Sequence, residues 1–344
     1  MITVLYGTRP EAIKLAPVVN ALRARSAPVT VVCTGQHREL LEGMPIEPDI
    51  ELHLMRENQT PSGFLSRAMT ALDAHLFHTQ FVLVQGDTTT AFAGALSAYH
   101  MRIPIGHVEA GLRTGRLDAP FPEEGYRQMV DRIATRLYAP TERAAQNLVT
   151  EGRQPADILI TGNTGIDAAM QAKGRVRPGD HPFVLVTVHR REASAEQIES
   201  ICCAIRKLAV HTGMTFVVPV HPNQNGSRIR QALDVGLKRI EIIPPMNYAD
   251  TIATMKLAAC VLTDSGGLQE EAPTFGVPVV VVREVTERPE GVEAGVAILA
   301  GFDEDLIFES VMRMASTKLA PIRLYGDGHA APRIAEDAAV MGGS

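Results

Sequence analysis

The sequence predicts an α/β protein of two doubly wound halves that face each other across a cleft. Short β-branched runs alternate with helix-length amphipathic segments along all 344 residues. The runs are apolar enough for strands that are covered on both faces, and helical spacers between them imply parallel βαβ units. The length suits two domains of about 150 residues, each able to bury a full core.

The predicted strands form two series joined by a polar stretch at residues 173–181. The strands are placed at residues 2–6, 29–34, 81–85, 103–108, 136–139, 158–161, 183–188, 215–220, 240–243, 260–263 and 277–282. We therefore place the first domain at residues 1–168 and the second at residues 169–328. Because the carboxyl ends of parallel strands share one edge of a sheet, these edges are expected to line the cleft.

Composition excludes several classes of protein. Hydrophobic residues make up 45% and charged residues 21%, which is a globular balance, and 33 Lys+Arg against 39 Asp+Glu leave a net charge of −6. With no block of basic residues, nucleic acid is not expected as a partner. No signal peptide and no apolar stretch of about 20 residues is recognised, so a cytoplasmic protein without a membrane contact is expected. The four cysteines form no Cys-x-x-Cys pair and are expected to be buried thiols; no metal site is predicted.

The first candidate site follows the first strand, where Gly7-Thr8-Arg9-Pro10-Glu11 opens a helix. Gly7 permits a tight turn, and Arg9 offers a forked donor to a phosphate beside the helix N-terminus. The segment is neither a Walker A loop nor Gly-x-Gly-x-x-Gly, so ATP hydrolysis and dinucleotide redox chemistry lose their main support. A helix cap with a surface arginine is the alternative interpretation.

Three carboxylates of the first half are expected at one crevice. Asp87 and Glu109 follow strands, and Glu123 stands where a helix begins. Crowded carboxylates raise one another's pKa and suit proton abstraction. Asp87 could instead be an N-cap, and Glu123 a partner of the helix dipole.

The second half offers groups for an anion and a sugar. His189 closes a strand and is followed by two arginines, a pattern that suggests an anion site. The turn at 265–267 (Ser-Gly-Gly) precedes a helix, and its backbone N–H groups could cradle a phosphate. Glu271 lies nearly two turns into that helix and could accept from sugar hydroxyls, and Arg288 follows a further strand.

Together these motifs resemble the non-hydrolysing UDP-N-acetylglucosamine 2-epimerases, a family with the two-domain, Rossmann-like glycosyltransferase-B fold. The resemblance runs nearly end to end and in the family's order. It rests on GTRPEAIKLAP at 7–17, GQHREL at 35–40, GDTTT at 86–90, HVEAGLRTG at 107–115, PFPEE at 120–124, TGNT at 161–164, HRRE at 189–192, HPN at 221–223, DSGGLQEEAP at 264–273, TERPE at 286–290 and YGDG at 325–328.

The resemblance implies a reaction and roles for individual residues. UDP is eliminated across C1–C2 to give a 2-acetamidoglucal and is added back with the proton delivered to the opposite face, without a cofactor. The implied catalytic residues are Asp87, Glu109, Glu123 and His189, and the implied substrate-binding residues are Arg9, Lys14, Ser265, Gly266, Gly267, Glu271 and Arg288. A homodimer is implied, and a last helix at residues 329–344 that packs back on the first domain.

The sequence also departs from the family pattern. Residues 40–46 are shortened, and Asn58 stands where regulated members carry an arginine of a second UDP-N-acetylglucosamine site. Gln36, Arg190 and His221 would be the remnants of that site, so allosteric activation is not expected. The alternatives are an epimerase of a modified UDP-2-acetamido sugar, a hydrolysing relative that releases UDP and N-acetylmannosamine, and a non-catalytic nucleotide-sugar sensor.

Overall fold

A computed structural model describes residues 1–36, 45–56, 59–176, 182–189, 193–221 and 223–343. The chain divides into two compact units. Unit 1 comprises Met1–Met170 and Tyr325–Ser344, and unit 2 comprises Gln171–Leu324.

The described residues of unit 1 contain a seven-stranded parallel sheet. Its strands are β1 (Ile2–Tyr6), β2 (Val29–Cys33), β3 (Ile50–Glu51), β4 (Phe81–Gln85), β5 (Ile105–Val108), β6 (Arg136–Ala139) and β7 (Ile158–Ile160). They lie in the order β3-β2-β1-β4-β5-β6-β7. The order reverses between β1 and β4, and open α/β sheets bind ligands at the carboxyl ends of the strands beside such a switch point.

The helices of unit 1 follow these strands along the chain, and parallel βαβ connections are right-handed as a rule. They are α1 (Arg9–Ala24), α2 (Pro61–Asp73), α3 (Thr89–His100), α4 (Glu123–Ile133), α5 (Glu142–Thr150) and α6 (Thr164–Gln171). In α1, Pro10 lies in the first turn, and Leu15, Val18 and Leu22 are buried at helical spacing against the sheet. The Thr88 hydroxyl caps α3 by accepting from the backbone N–H of Ala91.

Unit 2 repeats the same topology with six strands among its described residues. They are β8 (Phe183–Thr187), β9 (Thr215–Pro219), β10 (Ile240–Ile243), β11 (Cys260–Thr263), β12 (Val279–Val281) and β13 (Ala297–Leu299), in the order β10-β9-β8-β11-β12-β13. The helices are α7 (Ala195–His211), α8 (Gln224–Leu233), α9 (Tyr248–Met255), α10 (Gly266–Thr274), α11 (Pro289–Glu293) and α12 (Glu304–Ala315). The switch point of this sheet lies between β8 and β11.

The last helix, α13 (Ala330–Met341), belongs to unit 1 and packs on α1. The Asp167 carboxylate accepts from the backbone N–H groups of Ala330 and Ala331, at 3.2 and 2.9 Å, and so satisfies two donors at the helix start. Farther along, Asp337 binds Arg136 and the Tyr138 hydroxyl at the sheet. The C-terminal segment is thus anchored at both ends of the helix.

The predicted class, an α/β protein with two Rossmann-like parallel sheets, is confirmed. Every predicted strand is present, although β2, β7, β8, β9 and β12 end one residue earlier than predicted, and β5 and β12 begin two residues later. Two strands were missed: β3 is only two residues long, and β13 lies in the short apolar stretch at residues 296–300, which the prediction did not assign to a strand. Cys33, Cys202 and Cys260 are buried as predicted, whereas Cys203 is partly exposed on α7. Across the described part of the chain, no helix is long and apolar enough to cross a membrane.

Candidate active site

Close packing shapes the loop that follows β1. A Cβ atom on Gly7 would lie 2.1 Å from the Thr90 hydroxyl oxygen and 2.3 Å from that of Thr34, so only glycine fits. The Gln36 side-chain oxygen accepts from the Thr90 hydroxyl at 2.8 Å and from its backbone N–H at 3.2 Å. Gln36, predicted as part of a second ligand site, is therefore bound to the first turn of α3.

Glu11 joins the two loops at the switch point of unit 1. Its carboxylate is 1% exposed and accepts from the backbone N–H groups of Gly7 and Thr8 at 3.0 and 2.8 Å. It also accepts from the Thr88 hydroxyl at 2.5 Å, on the loop after β4. Burial raises the pKa of Glu11, and the hydrogen bonds from Thr88, Gly7 and Thr8 oppose that rise.

Glu109 is held by an ammonium group and two amides. The residue has a positive φ of 70° directly after β5 and is 8% exposed. Lys14 Nζ donates to both carboxylate oxygens at 2.6 Å, Asn163 Nδ2 donates to Oε1 at 2.8 Å, and the Gln85 amide donates to Oε2. These donors stabilise the charged form of the carboxylate. The structure thus brings two predicted site residues, Lys14 and Glu109, into direct contact.

Asp87 is paired with helix α4. Arg127 donates to its carboxylate, and the Asp87 side chain is 28% exposed. Arg127 also pairs with the buried Glu124, at 3.2 Å. Glu123, the first residue of α4, lies one helical turn before Arg127 and so shares its side of the helix. The N-cap alternative for Asp87 does not hold, because Thr88 caps α3.

Arg9 begins α1 at the same switch point. It is partly exposed, and its guanidinium makes no hydrogen bond or ion pair with any other residue in the described ranges. A forked cation beside a helix N-terminus suits an anionic ligand.

His189 lies at the switch point of unit 2, beside a residue that the motif analysis left without a role. Asp264 Oδ2 accepts from the His189 backbone N–H at 2.9 Å, and Oδ1 lies 3.3 Å from His189 Nδ1. The Asp264 side chain is 4% exposed and that of His189 is 52% exposed. A buried carboxylate at Nδ1 orients the ring and leaves Nε2 as the outward nitrogen. Sequence spacing gave no sign of this pair, because its members lie 75 positions apart after the neighbouring strands β8 and β11.

The start of α10 combines backbone N–H groups with a buried arginine. Ser265 is the N-cap residue, but its hydroxyl makes no capping hydrogen bond. A Cβ atom on Gly266 would lie 2.8 Å from Arg288 Nη1, so glycine lets the guanidinium rest against the first turn. Helix N-termini favour anions, and an arginine at the same place adds to that preference.

Two carboxylates hold Arg288 in this position. The residue is 5% exposed; Nε donates to Glu270 Oε1 at 2.5 Å, and Nη1 donates to Glu287. Glu287 also forms an ion pair with Arg283, at 2.9 Å. A buried charge network of this kind fixes the direction of the guanidinium.

Glu271 is oriented by a tyrosine that the sequence analysis missed. The Tyr248 hydroxyl donates to Glu271 Oε1 at 2.8 Å. Burial and the neighbouring Glu271 raise the pKa of Tyr248, so the hydroxyl stays a donor. The sequence pattern at 247–251 gave no sign of this contact, because Tyr248 and Glu271 lie on different helices.

The three residues predicted as remnants of an activator site, Gln36, Arg190 and His221, lie in different parts of the sequence. Gln36 belongs to unit 1, and His221 follows β9 in unit 2. Arg190, Asn58 and most of the shortened segment 40–46 lie outside the described residues. Among the described residues, no group of His, Cys, Asp or Glu side chains could hold a metal ion.

Known proteins resemble the chain along nearly its whole length. The family model for UDP-N-acetylglucosamine 2-epimerase matches residues 20–338. The UDP-N-acetylglucosamine 2-epimerase of Escherichia coli K12 is 41% identical, with 96% of each chain covered. A crystal structure of the UDP-N-acetylglucosamine 2-epimerase from Neisseria meningitidis, bound to that nucleotide sugar, has a TM-score of 0.90 at 36% identity and covers 98% of this chain and 99% of its own.

A more distant likeness bears on the fold alone. The glycotransferase of kitacinnamycin matches with a TM-score of 0.61 at 14% identity, over 99% of this chain and 93% of its own. It agrees with the glycosyltransferase-B class that the sequence predicts.

Proposed function

Because the chain belongs to the UDP-N-acetylglucosamine 2-epimerase family, and is thus an epimerase, we propose that it interconverts UDP-N-acetylglucosamine and UDP-N-acetylmannosamine without releasing the sugar. The observation that carries the proposal is the division of chemistry between the two switch points. Carboxylates gather at the switch point of unit 1, and an anion-binding helix start with a buried arginine lies at that of unit 2.

The residues of unit 1 are proposed to move the proton at C2. Removing this proton leaves its electron pair in the C1–C2 double bond as the C1–O bond to UDP breaks. Re-addition reverses these steps with a proton delivered to the other face, which requires two groups. Asp87, paired with Arg127, and Glu123, at the start of α4, are assigned this exchange. Glu109, bound by Lys14, stays charged and stabilises the cationic character that develops at the sugar.

The residues of unit 2 are proposed to hold UDP. The diphosphate binds at the Ser265-Gly266-Gly267 turn beside Arg288, and Glu271 accepts from ribose hydroxyls. His189, oriented by Asp264, donates to the departing diphosphate. Arg9 and Lys14 are also assigned to substrate binding. UDP must stay bound while the glycal exists, because bound UDP keeps water away from the glycal and so prevents its hydrolysis.

Proton NMR in D2O at C2 of UDP-N-acetylglucosamine tests the proposal. Deuterium at C2 with UDP still attached, together with the manno isomer, is the expected result. Free N-acetylmannosamine would show a hydrolysing enzyme. Exchange only with a diacetamido UDP sugar would show a different substrate, and no exchange with any of these would leave a nucleotide-sugar sensor.

We further propose that no activator is needed. A second dianionic diphosphate requires several cationic groups, and Asn58 removes one of them. A charge-assisted contact is worth about 1.5–3 kcal/mol, so its loss weakens a second ligand by about 10- to 150-fold. Initial rates from pure UDP-N-acetylmannosamine should be hyperbolic and without a lag. A reaction that starts only after a trace of UDP-N-acetylglucosamine is added would contradict this.

The same family membership supports a homodimer that acts in the cytoplasm and needs no cofactor. Sedimentation equilibrium of the full chain measures the assembly state, and a monomer at micromolar concentration would contradict the dimer.

A further inference from the structure

His107 is fully buried between two oxygen atoms that accept hydrogen bonds. Its Nε2 lies 2.8 Å from the carbonyl oxygen of Gly86, and its Nδ1 lies 2.6 Å from Asp131 Oδ1. A carbonyl oxygen cannot donate, so Nε2 must carry the hydrogen of that contact. The proposed mechanism assigns this histidine no role.

Asp131 is a carboxylate that accepts from three sides. Besides His107, the Gly111 backbone N–H donates to Oδ2 at 3.1 Å, and Arg113 Nη2 lies 2.7 Å from the same oxygen. Burial by itself would raise the pKa of Asp131, but His107 and Arg113 hold it below its usual value. Because the Gly111 N–H and the Arg113 guanidinium both point at Oδ2, the carboxylate is placed as an acceptor, and its 2.6 Å contact with His107 puts a hydrogen on Nδ1 as well.

We propose that His107 carries hydrogen on both ring nitrogens and is a positioning residue that fixes the Gly86–Asp87 peptide for proton transfer by Asp87. Gly86 has a φ of +70°, which turns the chain sharply between β4 and Asp87. Its carbonyl belongs to the peptide that leads into Asp87, so a hydrogen bond to that oxygen sets the plane of the peptide. This inference rests on the proposed function only for the role of Asp87.

Helix α4 holds Asp87 at two points. Glu123, Arg127 and Asp131 are spaced by four residues and lie on one side of the helix. Arg127 binds the Asp87 side chain directly, and Asp131 acts on the Asp87 backbone through His107. The same helix begins at Glu123, the second proposed proton-transfer group. One rigid element therefore sets the geometry of both groups relative to each other.

The protonation state can be measured without altering the protein. Full-length protein labelled with ¹⁵N-histidine is examined at pH 8, and His107→Gln assigns the ring signals by their loss. We expect two protonated ring nitrogens for His107, with and without UDP. One nitrogen with the shift of an unprotonated imidazole nitrogen would overturn the proposal. This result does not depend on the reaction that the protein catalyses.

Kinetics test the positioning role. Misplacing a reacting group by about 1 Å costs on the order of 100-fold, so His107→Gln and Asp131→Asn should each lower kcat by about 10- to 100-fold. KM and the affinity for UDP should stay within about twofold. His211→Gln is the matched control, because that exposed histidine also contacts a backbone carbonyl, at 2.8 Å, on α7 of unit 2.

The outcomes separate the two proposals. Wild-type kcat in His107→Gln, or a loss of UDP affinity as large as the loss of kcat, would overturn the positioning role. If His107→Gln fails to fold, Asp131→Asn, which keeps the histidine, carries the kinetic test, and the ring signals that shift in this variant assign those of His107. If the wild-type protein does not exchange the C2 proton, the proposed function fails, while the two protonated nitrogens can still be observed.

Discussion

The two switch points have the same strand order but opposite patterns of charge. In unit 1, cations hold the candidate carboxylates: Lys14 binds Glu109, and Arg127 binds Asp87. Each of these carboxylates is oriented by a cation that is itself well buried. The carboxylates at this switch point therefore suit two tasks, the transfer of a proton and the stabilisation of a positive charge.

In unit 2 the arrangement is reversed, because carboxylates hold a cation there. The carboxylates Glu270 and Glu287 hold Arg288 against the start of α10. A cation that is fixed beside a helix N-terminus binds an anion without reorganising. Topology therefore locates a site, whereas the partner in each ion pair decides which chemistry the site supports.

The largest expected effect comes from removing the arginine of unit 2. Arg288→Met takes away a cation that compensates the buried Glu270 and Glu287, which costs about 3–5 kcal/mol of stability. Hydrogen-exchange mass spectrometry should show lost protection in β11 and α10 and unchanged protection in unit 1. UDP binding should disappear in calorimetry. Arg313→Met, on the exposed side of α12, is the control, and unchanged protection of α10 would contradict the prediction.

The second-largest expected effect is a loss of turnover that leaves the affinity for UDP almost unchanged. Asp87→Asn removes a proposed proton-transfer group while an amide of the same size stays beside Arg127. Turnover should fall by at least about 100-fold, with UDP affinity within about twofold. Asp305→Asn, which changes an exposed ion pair with Lys207, is the matched control. A near-normal rate would remove Asp87 from the catalytic residues.

The smallest effect concerns the buried carboxylate that joins the loops of unit 1. Glutamine can accept from Gly7 and Thr8 with its oxygen and donate to the Thr88 hydroxyl with its nitrogen, so Glu11→Gln should leave turnover within about threefold.

The free energy of unfolding of the wild-type protein, compared with that of Glu11→Gln, should change with pH in a definite direction. Because burial raises the pKa of Glu11 above 4.5, the folded protein binds this proton more tightly than the unfolded chain. The wild-type protein should gain stability relative to Glu11→Gln as the pH falls from the raised value to 4.5, and lose that gain as the pH rises. Urea unfolding at pH 5 and pH 8 measures the difference, with Glu142→Gln, an exposed first-turn glutamate of α5, as the control. A difference that does not change with pH would contradict the stated cause.

Local sequence determined where the strands lie, and with them the loops that carry chemistry. Apolar runs and helical spacing are properties of neighbouring residues, so Gly7, Asp87, His189 and the Ser265 turn could be placed at strand ends before any contact was known. The same signal is too weak for β3, which has two residues, whereas β13 lies in an apolar stretch that was not assigned to a strand. The motifs also indicated the family, because their order along the chain is itself a sequence property.

Only the tertiary structure decided which groups act on each other. The Glu11–Thr88 contact joins residues 77 positions apart, and the His189–Asp264 contact joins residues 75 positions apart. Both depend on which strands lie side by side at a switch point, and strand order is not encoded in any local pattern. His107 shows the same limit: its neighbours in the chain suggest a strand residue, and its contacts with Gly86 and Asp131 exist because β4 and α4 flank β5.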